Sequence, residues 1–218
     1  MPQPSWKSSP KSRDEQHELK RNVLLREAAL AFNKHGFHGT SLDDVAGKLG
    51  LTKATLYYYF PNKQALLRAC FDRAIEAAFK SLSAAQRTDL DARSKLRLAL
   101  RGYLEEMIDE LSCCVVLTEE SALLPEDRDV IVGKRDQYEN ELRALVRTGI
   151  EDGSIANCDP KLAVFVILGA INWVPRWFQY GGAWDSRQLA EAMSQLLERA
   201  LSSKPSKSLA PDVSKIVL

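Results

Sequence analysis

Apolar residues recur three and four positions apart along most of this chain, which places them on one face of successive α-helices. Leu24, Ala28 and Phe32 open the series. After Asn62 a longer stripe runs through Leu66, Leu67, Cys70, Phe71, Ile75 and Phe79. A second, over about Asp91 to Leu111, runs through Leu96, Leu100, Tyr103, Leu104, Met107 and Leu111. Residues 112 to 125 are apolar but less regular, and a long amphipathic helix is predicted from about Glu126 to Glu151, with Gly153 marking its end. Asp159-Pro160 reads as an N-cap followed by proline at the first helical position. The helix it opens carries Leu162, Val164, Phe165, Val166, Ile167, Leu168, Ile171 and Val174, and apolarity around the whole circumference predicts burial on all sides. A last helix, about Ser186 to Leu201, presents Leu189, Met193, Leu196 and Leu197. From residue 63 onward no alternating strand-like run and no internal repeat interrupts the pattern, so the fold class is all-α.

Residues 36 to 63, GFHGTSLDDVAGKLGLTKATLYYYFPNK, break this regime into a short helical pair. Gly36 ends the preceding helix, because only a residue without Cβ turns left-handed at no steric cost. Thr40 or Ser41 can cap the next helix, and Asp43 and Asp44 fall in its first turn, where carboxylates favour the positive end of the dipole. Leu42, Val45, Ala46 and Leu49 form its apolar side, Gly50 stops it, and Leu51 plugs the corner. Thr52 can then cap a second helix from about Lys53 to Phe60. Leu56 and Phe60 are four apart and point inward, which leaves Lys53, Ala54, Thr55, Tyr57 and Tyr58 on the open side. Tyrosine hydroxyls suit phosphate oxygens, their rings suit thymine methyls, and Lys53 can reach a guanine edge or a phosphate. Pro61 breaks the helix, Asn62 can cap the next, and Lys63 opens it near the nucleic-acid backbone. Two short helices across a tight glycine turn are the layout of a DNA-reading helix-turn-helix.

The same residues resemble the DNA-binding domain of TetR/AcrR-type transcriptional regulators. The pattern runs from Leu24, Ala28 and Phe32 through Gly36-Phe37, Thr40-Ser41, Val45-Ala46 and Leu49-Gly50-Leu51 to Leu56-Tyr57, Phe60 and Lys63, and departs from it at Ala54, where many members carry glycine. The resemblance implies a three-helix DNA-binding domain over residues 14–62 and a larger helical effector-binding and dimerisation domain over residues 63–201. Residues 1–13 and 202–218, rich in Ser, Pro and Lys/Arg, are expected to be disordered tails. It implies DNA contacts from Thr40, Ser41, Thr52, Lys53, Ala54, Thr55, Tyr57, Tyr58 and Lys63. It also implies a homodimer through the last two helices, with Phe165, Gly169, Leu189, Met193, Leu196 and Leu197 at the interface. Two-fold symmetry would set the reading helices about 34 Å apart, so double-stranded operator DNA should carry an inverted repeat. The expected action is repression relieved by a small effector that moves the helix after Asn62. An activator of the same fold is the alternative, because operator position is not encoded in the protein.

The segment NWVPRWFQYGG, Asn172 to Gly182, bears on the effector. Pro175 removes a helix hydrogen bond and is expected to kink or end the helix near Ile171, freeing carbonyls beside Trp173, Trp177, Phe178 and Tyr180. The segment resembles a W-x-x-x-W-[FY] element of some TetR-like regulators, including ones that respond to acyl-CoA thioesters. That resemblance implies Trp173 and Trp177 lining an apolar site and Arg176 pairing with a phosphate or carboxylate of an acyl-CoA, aromatic acid or fatty acid. Packing between subunits is the competing role for these aromatics.

Composition narrows the remaining choices. Net charge is +1 over 218 residues, but residues 1–63 hold ten Lys/Arg against six Asp/Glu, leaving 20 against 23 for the rest. That modest balance argues against a non-specific architectural DNA binder, which is held almost wholly by phosphate neutralisation. Cys70, Cys113, Cys114 and Cys158 show no metal-site spacing, and with no secretory signal or long apolar run they predict reduced thiols in a cytoplasmic protein without membrane attachment. His17, His35 and His38 lie in the N-terminal part with no ligand pattern around them, so no metal and no cofactor is expected. An enzyme is disfavoured, since the chain has no nucleophile elbow, phosphate loop, metal cluster or histidine beyond residue 38.

Overall fold

The computed structural model describes residues 12–109, 120–179 and 181–204, and among these every regular element is helical. In chain order the helices are α1 (Arg13–Gly39), α2 (Leu42–Lys48), α3 (Lys53–Tyr59), α4 (Lys63–Gln86), α5 (Ala92–Asp109), α6 (Pro125–Glu151), α7 (Pro160–Trp173) and α8 (Ser186–Leu201). Short 3₁₀ turns lie at Glu120–Ala122 and Val174–Arg176. Cys113, Cys114, Tyr180 and most of the irregular 112–125 stretch fall outside the described residues, as do residues 1–11 and 205–218.

Caps set most boundaries. Ser12 and Glu15 form a reciprocal capping box, so α1 begins at Arg13 rather than after it, and the expected N-terminal tail loses its last residue to the helix. Asp159 accepts from the Leu162 amide ahead of Pro160, and Asp185 forms a second capping box with Gln188. Each such cap stabilises its helix by about 1 kcal/mol.

The chain divides into two compact units. The first runs to Ala74 and takes in the segment ending at Asp129. Its core is Leu24, Leu25, Ala28, Phe32, Val45, Leu56, Leu66, Leu67 and Phe71, with Cys70 buried among them and its thiol 3.7 Å from the Leu25 carbonyl. Arg68 ties this unit together through Asp72 and Asp127.

The second unit holds Ile75–Asp109 and the chain from Val130 onward. Leu82, Leu96, Leu100, Leu104, Leu142, Val146, Val164, Ile167, Ile171 and Leu189 fill its interior. α5 lies along α8, and a ladder of charges fastens them: Arg93 and Arg97 meet Glu198, while Arg97 and Arg101 meet Glu191. Desolvation alone would raise the Glu191 carboxyl, yet hydrogen bonds from Gln195 and Arg97 and the charges of Arg97 and Arg101 hold it below its ordinary range. Ser202 is not loose chain: it is buried, bridges Ile155 in an antiparallel pair and bonds Arg93, while the Ser203 hydroxyl donates to the Gly153 carbonyl at 2.6 Å. Residues 202 and 203 are therefore held by pairing and hydrogen bonds that their composition does not signal.

α7 departs from expectation. Ala163, Val164, Ile167 and Ile171 are buried, but Leu162, Phe165, Val166 and Trp173 are roughly half or more exposed, and among the described residues no atom lies within 4 Å of where a Cβ on Gly169 would be. These exposed positions recur at helical spacing, so the second unit covers one side of the helix and leaves an apolar stripe on the other.

Candidate nucleic-acid interface

The helical pair forms for the reasons its sequence announces. Ser41 caps α2 by accepting from the Asp43 amide at 3.2 Å, with Asp43 and Asp44 in the first turn. At the other end Gly50 adopts φ +63, which lets its amide reach the Gly47 carbonyl at 3.0 Å while the Leu51 amide returns to Ala46 at 2.9 Å. This paired 5→2 and 6→1 arrangement satisfies the last carbonyls of α2 and reverses the chain within one turn. Thr52 then caps α3, its hydroxyl accepting from the Thr55 amide at 3.2 Å.

α3 is anchored by Leu56, fully buried, and by Phe60, whose ring carries the Arg21 guanidinium at 5.5 Å. With that face turned inward, Lys53, Ala54, Tyr57 and Tyr58 project into solvent, Tyr58 with 75% exposure against 41% for Tyr57. Thr55 is half-buried and shares its hydroxyl with Thr52 at 2.9 Å. Tyr59 turns the other way: His17 on α1 stacks on it with ring centres 4.6 Å apart, and burial pushes its hydroxyl above the ordinary tyrosine value. The His17 ring also meets Tyr58 edge-on at 5.9 Å, so α1 props the most exposed tyrosine of α3. The sequence pattern assigns His17 no such part, because its partners lie on a different helix and leave no local signal beside it.

Two candidate DNA contacts are occupied inside the unit. Thr40 is 5% exposed and donates its hydroxyl to the Gly36 carbonyl at 2.8 Å, which braces the backbone where Gly36 takes φ +71. Its hydroxyl is thus committed to the corner between α1 and α2 and its side chain is almost wholly covered. Lys63 is half-buried, its ammonium 4.5 Å from the Phe37 ring centre and 3.4 Å from the His38 carbonyl, holding the end of α1 against the start of α4. Ser41 and Thr52 remain exposed with their hydroxyls at the helix starts. Lys53 is not alone: its ammonium lies 2.9 Å from Asp43 Oδ2 and 5.9 Å from the Tyr57 ring centre. The hydrogen bond and charge of Asp43 hold the ammonium protonated beyond its ordinary range.

In the second unit the Pro175 corner is tighter than expected. α7 runs on to Trp173, and the Val174 amide donates back to the Ile171 carbonyl, so the acceptor that a proline would orphan is used by a 3₁₀ bond instead. Val174 in turn accepts from Trp177 at 3.1 Å and Phe178 at 2.9 Å. Trp173 is 62% exposed with the Arg176 guanidinium 5.8 Å from its ring, whereas Trp177 and Phe178 pack on the core. The three aromatic and cationic candidates thus split, Trp173 and Arg176 at the surface and Trp177 against the interior. Among the expected interface residues Phe165, Gly169 and Leu196 are exposed, Met193 and Leu197 are half-buried on the core, and Leu189 is 1% exposed. Leu189 thus fills the core of the second unit, unlike the exposed positions of the same helix.

Among the described residues no group of His, Cys, Asp and Glu could hold a metal ion, and no helix is long and apolar enough to cross a membrane. Residues 24–70 match the family model of bacterial regulatory proteins of the tetR family, and residues 89–201 match that of the tetracyclin repressor-like C-terminal domain. The HTH-type transcriptional regulator RutR of Escherichia coli is 29% identical over 153 residues, 68% of this chain and 70% of its own length. The TetR family regulator PfmR from Thermus thermophilus is 32% identical with a TM-score of 0.69 over 81% of this chain and 97% of its own. AibR, solved in complex with isovaleryl coenzyme A and operator DNA, is 25% identical with a TM-score of 0.67 over the same shares.

Proposed function

The chain belongs to the TetR family of bacterial regulatory proteins, a DNA-binding transcriptional regulator and not an enzyme, and from that premise we propose that it is a dimeric repressor released by a small acyl effector. The observation that carries the reading is the division of α3: Leu56 and the adjoining Phe60 are interior while Lys53, Ala54, Tyr57 and Tyr58 face out from a rigid two-helix corner. A helix held that way can enter a major groove with its first turn at the base edges. Tyr58 and Tyr57 then supply hydroxyls and ring faces, while Ser41 and Thr52 supply hydroxyls to the flanking phosphates.

One short helix reads too few base pairs to select a site, so a second copy is needed, and the exposed stripe of α7 suits it. Leu162, Phe165, Val166 and Trp173 form an exposed apolar stripe with Arg143 and Lys161 beside Phe165 and Arg176 beside Trp173, the kind of surface that marks an interface, and Leu196 is exposed on α8. The smooth side of Gly169 lets a partner helix approach closely.

For the effector, Trp177 offers an apolar wall on the core and Arg176 a cation for a phosphate or thioester-linked headgroup. The similarity to AibR, whose complex holds isovaleryl coenzyme A, favours an acyl-CoA over other anions. Binding would favour a conformation that shifts α4 and removes the matched spacing of the two reading helices, and the effector must distinguish the two conformations by a few kcal/mol to act.

The test is selection from a random duplex pool by the purified full chain, with light scattering to size the complex. An inverted repeat bound by one dimer, and released by isovaleryl-CoA with a change in tryptophan fluorescence, is the expected result. A monomer that enriches no repeat overturns the regulator geometry, and release only by compounds lacking an acyl-CoA overturns the effector class.

A further inference from the structure

The ion pair between Lys53 and Asp43 joins the first turn of α3 to the first turn of α2, on the outward side of the helical pair. Both side chains are more than half exposed, at 56% and 57%. An exposed pair of this kind contributes little to folding, because water screens it and two long side chains must be ordered. Its consequence lies where water is expelled, against a duplex.

A phosphate presents only acceptors and negative charge, so a bare ammonium binds it well and an ammonium tied to a carboxylate binds it poorly. A base edge is different. A G·C pair shows guanine O6 and N7 as acceptors beside the cytosine N4 donor, which a lysine and an aspartate can meet together. With one N–H committed to Asp43, the ammonium keeps two donors, and the carboxylate keeps lone pairs to accept.

We propose that Asp43 is a specificity-determining residue: it holds Lys53 as half of a neutral donor–acceptor pair that reads a G·C base pair and withholds it from the phosphate backbone. The inference rests on the reading of α3 as the helix that faces the bases. Asp43 thereby lowers affinity for arbitrary DNA more than for the operator.

The experiment uses the full chain as wild type, Asp43→Asn, Asp44→Asn, Lys53→Gln and the Asp43→Asn/Lys53→Gln double variant. Affinities are measured by fluorescence anisotropy over a salt series, on the duplex enriched by wild type and on a scrambled duplex of equal composition. Asp43→Asn should bind the scrambled duplex several-fold tighter and steepen its slope of log affinity against log salt by about 0.9, one added phosphate contact. Its affinity for the enriched duplex should change less, so the ratio of the two falls about tenfold, the discrimination carried by one base pair. Repeating the selection with Asp43→Asn should relax one symmetric G·C position. Asp44→Asn removes the same charge from the neighbouring residue, which forms no ion pair with Lys53, and should tighten both duplexes equally. In the double variant the Asp43→Asn effect should vanish. Equal shifts from Asp43→Asn and Asp44→Asn, or an unchanged ratio and slope in a variant whose circular dichroism and melting match wild type, overturn the proposal. If Lys53→Gln alters neither duplex, the placement of α3 at the bases fails instead, and the two failures are told apart by that variant.

Discussion

Gly149→Ala and Gly133→Ala make the same chemical change in one helix and should move stability in opposite directions. Both glycines lie within α6, where alanine improves helix propensity by about 1 kcal/mol. At Gly133 a Cβ would meet no atom of the described residues within 4 Å, so the gain stands alone. At Gly149 the new methyl would lie 2.5 Å from Ile155 Cδ1, 2.7 Å from Cγ1 and 3.1 Å from Cβ. The end of the isoleucine can rotate, but its Cβ moves only with the main chain. That main chain is pinned by the Ile155 amide to the Gly149 carbonyl at 2.7 Å, by the bridge to Ser202 and by the Ala156 amide to the Leu201 carbonyl at 2.8 Å. Overpacking of this sort costs about 1–3 kcal/mol and outweighs the propensity gain, for a net loss of about 1 kcal/mol. For a chain of this length each kcal/mol moves the midpoint by about 2–4 °C. Thermal unfolding followed by circular dichroism should therefore place Gly133→Ala above wild type and Gly149→Ala below it. In a double-mutant cycle Gly149→Ala and Ile155→Ala should couple favourably by on the order of 1 kcal/mol, since each relieves the other. A Gly149→Ala variant that melts at or above wild type refutes the reasoning.

Phe165→Asp places a charge in the exposed stripe of α7, and it should yield folded monomers by light scattering whose affinity for the selected duplex falls on the order of a hundredfold, the avidity of the second half-site. An intact dimer would remove α7 from the interface. Tyr138→Phe should be stabilising by about 1 kcal/mol in urea at neutral pH, because the Tyr138 ring packs against Phe79 and Tyr103 and its buried hydroxyl has no hydrogen-bond partner among the described residues. Burial also pushes that hydroxyl above its ordinary value of 10.0, so the unfolded chain loses the proton first and stability falls as pH rises past 10, a loss that Tyr138→Phe should diminish. Destabilisation by Tyr138→Phe would mean that the hydroxyl has a partner after all.

The features legible in the sequence are those whose cause is a few residues wide. Gly36 and Gly50 do adopt positive φ, Thr52 and Asp159 do cap, and Leu56 with Phe60 does anchor α3, because each depends on neighbours within one turn. The choice between Thr40 and Ser41 as cap was open in the sequence, since both hydroxyls stand at the right distance. Ser41 takes it, and Thr40 bonds backward to Gly36, a decision made by burial. The site features that pattern could not supply are contacts between elements. Asp43 meets Lys53 across the turn, His17 meets Tyr58 and Tyr59 from α1, and Lys63 reaches Phe37. Nothing in the spacing of these residues encodes their meeting; the packing of α1 against α2 and α3 does.

α7 and α8 show why the second unit was harder to read. A 3.6-residue period reports that a face is apolar, not what covers it. Leu189 and Leu196 belong to one stripe of α8 by spacing, yet the first is interior and the second 56% exposed, because only part of the stripe meets the core of the second unit. The all-round apolarity of α7 arises from two different demands, an inner side filled by Val164, Ile167 and Ile171 and an outer side carrying Leu162, Phe165 and Val166. Exposing such an outer side to water in a lone chain is costly, at roughly 25 cal/mol for each Å² left wet. The apolar excess of this helix over what its own unit buries is the area that the proposed dimer would cover, and Leu162, Phe165 and Val166 are where that proposal is tested.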